Sequence, residues 1–200
     1  MLYRIFGNRG KTMADRTEEK RARLFETTRD LILQSGIQGA SMSKISRAAQ
    51  LPMGTIYALY PAKEDLINAT YVFCRGNYLG SIDFAACRRA GDSRAVVCAA
   101  VQAYIDAALA HDKDFLFVEQ CYLDPVIRKD VISDGDDVLR GFGLTFSGKN
   151  GAETVYLIKH MALSVINKAV ALALTGRITL DAAQRARVAE TCWNILTNNK

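Results

Sequence analysis

The stretch SMSKISRAAQLPMGTIYALYPAKEDL, residues 41–66, leaves little freedom in how it folds. Met42, Ile45 and Ala49 recur at helical spacing and share one face. Ile56, Leu59 and Tyr60 do the same a few residues later. Between the two runs stand only Gln50, Leu51 and Pro52, enough for a corner and nothing longer. Ser41 suits the N-cap of the first helix, because its hydroxyl can accept from an amide of the first turn that has no carbonyl partner. Pro52 suits the first turn of the second helix, where its missing N–H costs nothing. Pro61 separates that helix from a third beginning near residue 62. Helices this short cannot bury both faces against each other, so one is left to enter a groove. That is the layout of a helix-turn-helix, whose second helix lies in the DNA major groove.

Charge points the same way. The chain carries a net +5, and all of it falls in the first 80 residues, with 12 Lys and Arg against 7 Asp and Glu. The remaining 120 are balanced. A basic segment favours a polyanion, because each neutralised phosphate releases condensed counterions. Part of the excess precedes any expected helix, at Arg4, Arg9, Lys11 and Arg16, so residues 1–16 read as a flexible basic arm. The apolar cluster within it (Leu2, Tyr3, Ile5, Phe6) is too short for a secretory h-region. The five cysteines are odd in number and none is paired as CxxC, and His111 and His160 stand apart. They read as reduced, apolar cysteines of a cytoplasmic protein with no metal site and no cofactor.

The whole chain reads as helical, with no period-2 strand run and no internal repeat. Two hundred residues allow one large domain or two small ones. The expected elements are a first helix over 17–35 ended by Gly36 and Gly39, the short pair, and a fourth helix from about 62 towards 79. The second half opens with an apolar helix over 95–110. A short aromatic helix over 115–123 follows, then a fragment over 126–132. Two long helices over 152–175 and 180–198 close the chain, the last started by Thr179 and Asp181. Residues 133–151 carry five glycines. The most apolar run, 155–174, contains Lys159, His160, Asn167 and Lys168, which are expensive in a bilayer. It reads as a buried soluble helix, not a membrane span. The last two helices are apolar on more than one face, so they are either deeply buried or meet a partner.

The ordered string Ser41, Ile45, Ala49, Gly54-Thr55-Ile56-Tyr57, Tyr60-Pro61 and Lys63-Glu64-Asp65-Leu66 resembles the DNA-binding signature of the TetR family of bacterial transcription regulators. The stripe Leu24, Phe25, Thr28, Leu31 and Ile32 extends the likeness upstream. The resemblance implies an all-α fold: a helix-turn-helix domain over 17–66 and a helical effector-binding and dimerisation domain over 67–200. By position it assigns DNA contacts to Ser41, Ser43, Lys44, Met53, Gly54, Thr55, Tyr57 and Lys63. Ser41, Thr55, Tyr57 and Lys63 are suited to phosphates, and Gly54 to close approach of the third helix. Ser43 and Met53 lie where the family reads bases. Met can only pack on apolar surface such as a thymine methyl. The third helix offers no Arg, Asn or Gln for a bidentate base contact, so specificity leans on Arg47, Gln50, the arm or DNA shape. Two positions depart from the family pattern: Gln50, where it usually has Gly, and Pro52, where it commonly has Ser or Thr.

The same resemblance implies a palindromic operator, a homodimer through the last two helices and a small-molecule effector. Leu157, Met161, Val165, Ala169 and Leu172, with Val188, Cys192 and Ile195, are the expected dimer face. Phe73, Tyr104, Phe115, Val118, Glu119, Tyr122 and Phe142 are candidate effector contacts, and their rings favour a largely apolar ligand. No acid/base pair, nucleophile or phosphate loop nominates an enzyme. Two functions remain open: a repressor released by its ligand, and an architectural or adaptor DNA-binding protein of the same fold without a switch.

Overall fold

The structure is a computed structural model that describes residues 13–132 and 151–197, with side chains over 17–132 and 153–197. Residues 1–12 of the expected arm over 1–16, most of the glycine-bearing segment 133–151, and Phe142 lie outside the described residues, while residues 13–16 of that arm are helical. Among the described residues every regular element is a helix: α1 (Met13–Gly39), α2 (Met42–Ala49), α3 (Met53–Leu59), α4 (Lys63–Gly80), α5 (Phe84–Arg88), α6 (Ser93–Ala110), α7 (Asp112–Cys121), α8 (Gly151–Leu174) and α9 (Ala182–Thr197). Two compact units divide the chain, Met1–Thr70 and Tyr71–Lys200.

The first unit is built on the stripe of α1. Leu24, Phe25, Thr28 and Ile32 are buried with Met42, Ile45 and Ala49 of α2, Ile56 of α3 and Leu66 and Ile67 of α4. Phe25 and Tyr60 meet edge to face, 5.9 Å between centroids, a favourable arrangement for two rings. Thr28 is fully buried, and its hydroxyl donates to the Leu24 carbonyl at 2.8 Å, so no polar atom is stranded. α1 starts four residues before the expected 17. It breaks at Gly36, which sits at φ 70°, ψ 170°, a conformation open to glycine and unfavourable for residues with a Cβ. The chain then resumes a turn as far as Gly39, where an added Cβ would come within 2.7 Å of Ser35 Cβ. Leu59 departs from the expected buried face and is 61% exposed. α3 ends at Leu59, and Tyr60, already extended at φ −133°, ψ 91°, is the side chain buried at that end.

In the second unit α6 is central. It buries Val97, Val101, Tyr104, Ile105 and Ala108 and packs against α5, α7, α8 and α9. α8 and α9 pair along Ala162, Ile166 and Val170 on one side and Ala189 and Cys192 on the other. Arg94–Glu190, at 2.6 Å, and Arg185–Asp106 tie α9 to α6 at the surface. Exposed pairs of this kind are worth up to about 1 kcal/mol, so the apolar seam holds these helices. α7 starts earlier than expected and carries Asp112 and Asp114 in its first turn. Buried Asp114 accepts from Asn77 Nδ2 at 2.8 Å. Residues 126–132 form turns, not the expected fragment. The last helix is capped by Asp181, which accepts from the Gln184 amide at 2.8 Å. α5, which the sequence did not suggest, is capped the same way by Asp83.

α8 corrects one expectation and decides another. Only 28% of its apolar window, Glu153–Leu174, is buried, so it is not the deeply buried helix expected. Tyr156, Leu157 and Met161 stand 44%, 58% and 50% exposed. Of the expected dimer face, Ala169 and Cys192 are buried inside the protomer, whereas Leu157 and Met161 are bare.

Candidate nucleic-acid interface and effector cavity

The corner between α2 and α3 is closed by its own hydrogen bonds. Gln50 occupies the left-handed region at φ 54°, ψ 42°, where a side chain costs on the order of 1 kcal/mol. The Leu51 amide donates to the Ser46 carbonyl at 3.1 Å, and the Ser46 hydroxyl returns to the Leu51 carbonyl at 2.6 Å. Pro52 lies one residue outside α3 and serves as its N-cap. It supplies no side-chain acceptor to the first turn of α3, whose Thr55 and Ile56 amides both donate to the Pro52 carbonyl, at 3.0 and 3.2 Å.

The N-terminus of α2 gathers several of the expected DNA residues. Ser41 Oγ accepts from the Lys44 amide at 3.3 Å and lies 3.0 Å from Ser43 Oγ. Lys44 Nζ donates to the Gly39 carbonyl at 2.9 Å, and Lys63 Nζ donates to the Ile37 carbonyl. Both ammonium groups therefore brace the corner after Gly36, each with two further protons to offer. The helix dipole adds positive potential at the same place. On α3, Gly54, Thr55 and Tyr57 are exposed and Met53 is half-buried. An added Cβ at Gly54 would meet nothing within 4 Å. Internal packing thus does not demand glycine there. Tyr57 is 44% exposed while Ile56 and Tyr60 are buried, which matches the expected split between an outward and an inward ring. Thr55 also borders a groove of about 310 Å3 against Thr17, Arg21 and Leu24 of α1.

The second unit contains a cavity of about 770 Å3 between α4, α6, α7 and α8, within the range usual for small-molecule sites. Of the candidate effector contacts, Tyr104, Val118, Glu119 and Tyr122 line it. Phe115 does not: it is fully buried, edge to face against Tyr78 at 6.0 Å. Phe73 is also not among the lining residues. Four side chains, one from each helix, form a polar chain across the cavity. Tyr78 and Tyr104 share a side-chain hydrogen bond. Tyr104 donates to Asn167 Oδ1 at 3.0 Å, and Asn167 Nδ2 donates to Glu119 Oε1 at 2.7 Å. Burial pushes the Glu119 carboxyl up to about 7, against the opposing pull of the Asn167 bond. Burial also raises Tyr71, Tyr78 and Tyr104, so all three phenols stay neutral. The polar residues that sequence reasoning missed include Tyr71, Arg75 and Tyr78 on α4 and His160, Asn167 and Lys168 on α8. A signal existed: these last three are polar side chains in the most apolar helix of the chain.

Residues 24–70 match the family described as bacterial regulatory proteins, tetR family. The full fold is similar to that of a TetR family transcription regulator from Marinobacter aquaeolei VT8 (17% identity, 92% of this chain and 98% of that one, TM-score 0.73). It is similar also to a putative tetR family transcription regulator from Shewanella sp. PV-4 (18%, 88% and 96%, 0.71). A third likeness is to the transcriptional regulator FadR from Bacillus subtilis, solved in complex with stearoyl-CoA (14%, 88% and 97%, 0.63).

Proposed function

We propose that the chain is a TetR-family transcription regulator, on the match of its DNA-binding segment and the likeness of its fold, and that it acts as a homodimeric repressor of the bacterial cytoplasm. It holds a palindromic operator and leaves it when a small, largely apolar molecule fills the cavity of the second unit. The observation that carries this reading is that cavity, crossed by a hydrogen-bonded chain from four helices. An adaptor has no use for such a chamber, whereas a ligand-operated repressor needs one. That a protein of like fold was solved with an acyl-CoA adds support.

In this reading Ser41, Lys44, Thr55, Tyr57 and Lys63 hold phosphates, Gly54 lets α3 approach, and Ser43 and Met53 influence sequence choice. Two reading helices must lie about 34–36 Å apart to meet successive major grooves. A ligand that changes this separation by a few ångströms breaks one half-site. The bare Leu157 and Met161 of α8 are the centre of the proposed dimer face.

The test is binding to labelled duplexes selected from a random pool, with and without ligands found by thermal shift. Ligands that stabilise the protein are expected to lower its affinity for the selected duplex. Compounds that stabilise without altering DNA binding would favour the adaptor. Lys63→Ala is expected to weaken all duplexes alike and reduce the salt slope by about 1. A slope left unchanged would confine Lys63 to bracing Ile37.

A further inference from the structure

The cavity of the second unit has an unbalanced lining. The Arg75 guanidinium and the Lys168 ammonium have no acidic partner among the described residues. Glu119, the one carboxyl that lines the cavity among the described residues, is already engaged by Asn167, and its burial raises it to about 7. His160 adds no negative charge; its Nδ1 lies 2.9 Å from the Tyr156 carbonyl. Tyr71 sharpens the picture. It is 2% exposed and lines the cavity, yet its hydroxyl makes no hydrogen bond among the described residues. A buried donor left without an acceptor is costly, and native structures rarely tolerate one. Tyr71 and Arg75 stand four residues apart on α4, hence on one face, and interact electrostatically.

We propose that the cavity takes a small, mostly apolar carboxylic acid, its carboxylate held by the Arg75 guanidinium and the Tyr71 hydroxyl. The body of the ligand lies against Val118 and the rings of Tyr104 and Tyr122. A carboxylate supplies the missing acceptor to the phenol and the missing charge to the guanidinium at once. An amine would sit between two cations with only a half-neutral carboxyl to meet it. An alcohol would leave Arg75 unbalanced. The inference rests on the effector reading of this cavity and names the class of ligand.

Glu119 is faced by Tyr71, Arg75 and Tyr78 from α4, Tyr104 from α6, Tyr122 on its own side, and His160 and Lys168 from α8. Once ionised it repels a bound carboxylate. Affinity is therefore expected to fall as pH rises through about 7.

The experiment titrates the full chain with three probes that share a tail: phenylbutyrate, phenylbutanol and phenylbutylamine. Calorimetry is expected to rank phenylbutyrate first. Arg75→Gln is expected to weaken phenylbutyrate about tenfold or more while leaving phenylbutanol little changed. Tyr71→Phe, which keeps the ring and removes only the unpaired hydroxyl, is expected to weaken phenylbutyrate several-fold in a protein that unfolds no earlier. Glu119→Gln is expected to flatten the pH dependence. A preference for the amine or the alcohol, or an affinity for phenylbutyrate indifferent to both Arg75→Gln and Tyr71→Phe, would overturn the assignment. Phenylbutyrate that binds as expected but leaves operator affinity unchanged would instead sink the repressor reading and spare the ligand class. Operator release by the alcohol or the amine alone does the reverse.

Discussion

At the scale of single residues, Glu119 concentrates the chemistry of the second unit. In the unfolded chain a glutamate titrates near 4.5, and in the fold burial raises it to about 7. Between those values the folded state keeps a proton that the unfolded state has lost. Stability is therefore greatest below the lower value, declines as pH rises through the window, and levels off above the upper one. Glu119→Gln keeps an oxygen to accept from Asn167 and carries no charge. Urea denaturation at pH 5 and pH 8 is expected to show the natural chain losing on the order of 2 kcal/mol relative to the variant, after discounting for partial exposure. Parallel losses in the two proteins would show that Glu119 ionises without penalty. The same residue explains why sequence reasoning found part of the site. Glu119 and Tyr122 lie three apart at the end of α7 and its C-cap, and were legible as neighbours. Tyr71 and Asn167 lie far away in the chain, and nothing in local spacing brings them to the same wall.

At the scale of elements, the helix-turn-helix shows how local chemistry sets geometry. The Ser41 hydroxyl caps α2 through the Lys44 amide, so Ser41→Ala is expected to cost about 1 kcal/mol of stability. Gln50 holds a left-handed backbone, and it is the one non-glycine residue with positive φ among the described residues. Gln50→Gly relieves that strain but frees the unfolded chain, two effects of opposite sign. A net gain of a few tenths to about 1 kcal/mol is expected by thermal unfolding, since the steric cost at this position is the larger. A loss on substitution would show that the Gln50 side chain contributes something beyond filling the turn. Boundaries elsewhere moved for reasons of the same kind. α7 begins at Asp112 because acidic residues favour a first turn, and α9 begins after Asp181 because that carboxylate reaches the Gln184 amide.

At the scale of the whole molecule, the exposed apolar side of α8 is the main unsatisfied feature. Tyr156, Leu157 and Met161 leave large apolar side chains in water, and a second copy of the chain would cover them as a self-complementary face. Leu157→Asp places a charge at its centre and is expected to turn a dimer into a monomer in sedimentation at micromolar concentration. Under the proposed function, DNA affinity is then expected to fall steeply, because two half-sites would no longer bind as one unit. A natural chain that sediments as a monomer would remove this face from the account.

The amino-acid order by itself determined the helices, the corner and the inward set of the first unit. Their causes are local: a 3.6-residue apolar period, a hydroxyl at a cap, a proline where no amide is needed. Ile56 inward followed from that period; Tyr57 outward followed from the family resemblance. Leu59 is not inward: it keeps its helical phase as the last residue of α3, yet stands exposed while Tyr60 beyond it is buried. The cavity belonged to tertiary structure. α4, α6, α7 and α8 each present several faces, and periodicity ranks those faces by polarity without saying which ones meet. Phe115 reads as a ligand contact by its neighbours in the chain, yet it is core because Tyr78 from α4 packs on it. Asn167 reads only as a polar residue that argues against a membrane span, yet it joins Tyr104 to Glu119 because α8 packs against both α6 and α7. Local rules assign a residue to a helix and a side. Only the packing of helices distant in sequence decides whether that side becomes core, cavity wall or bare surface.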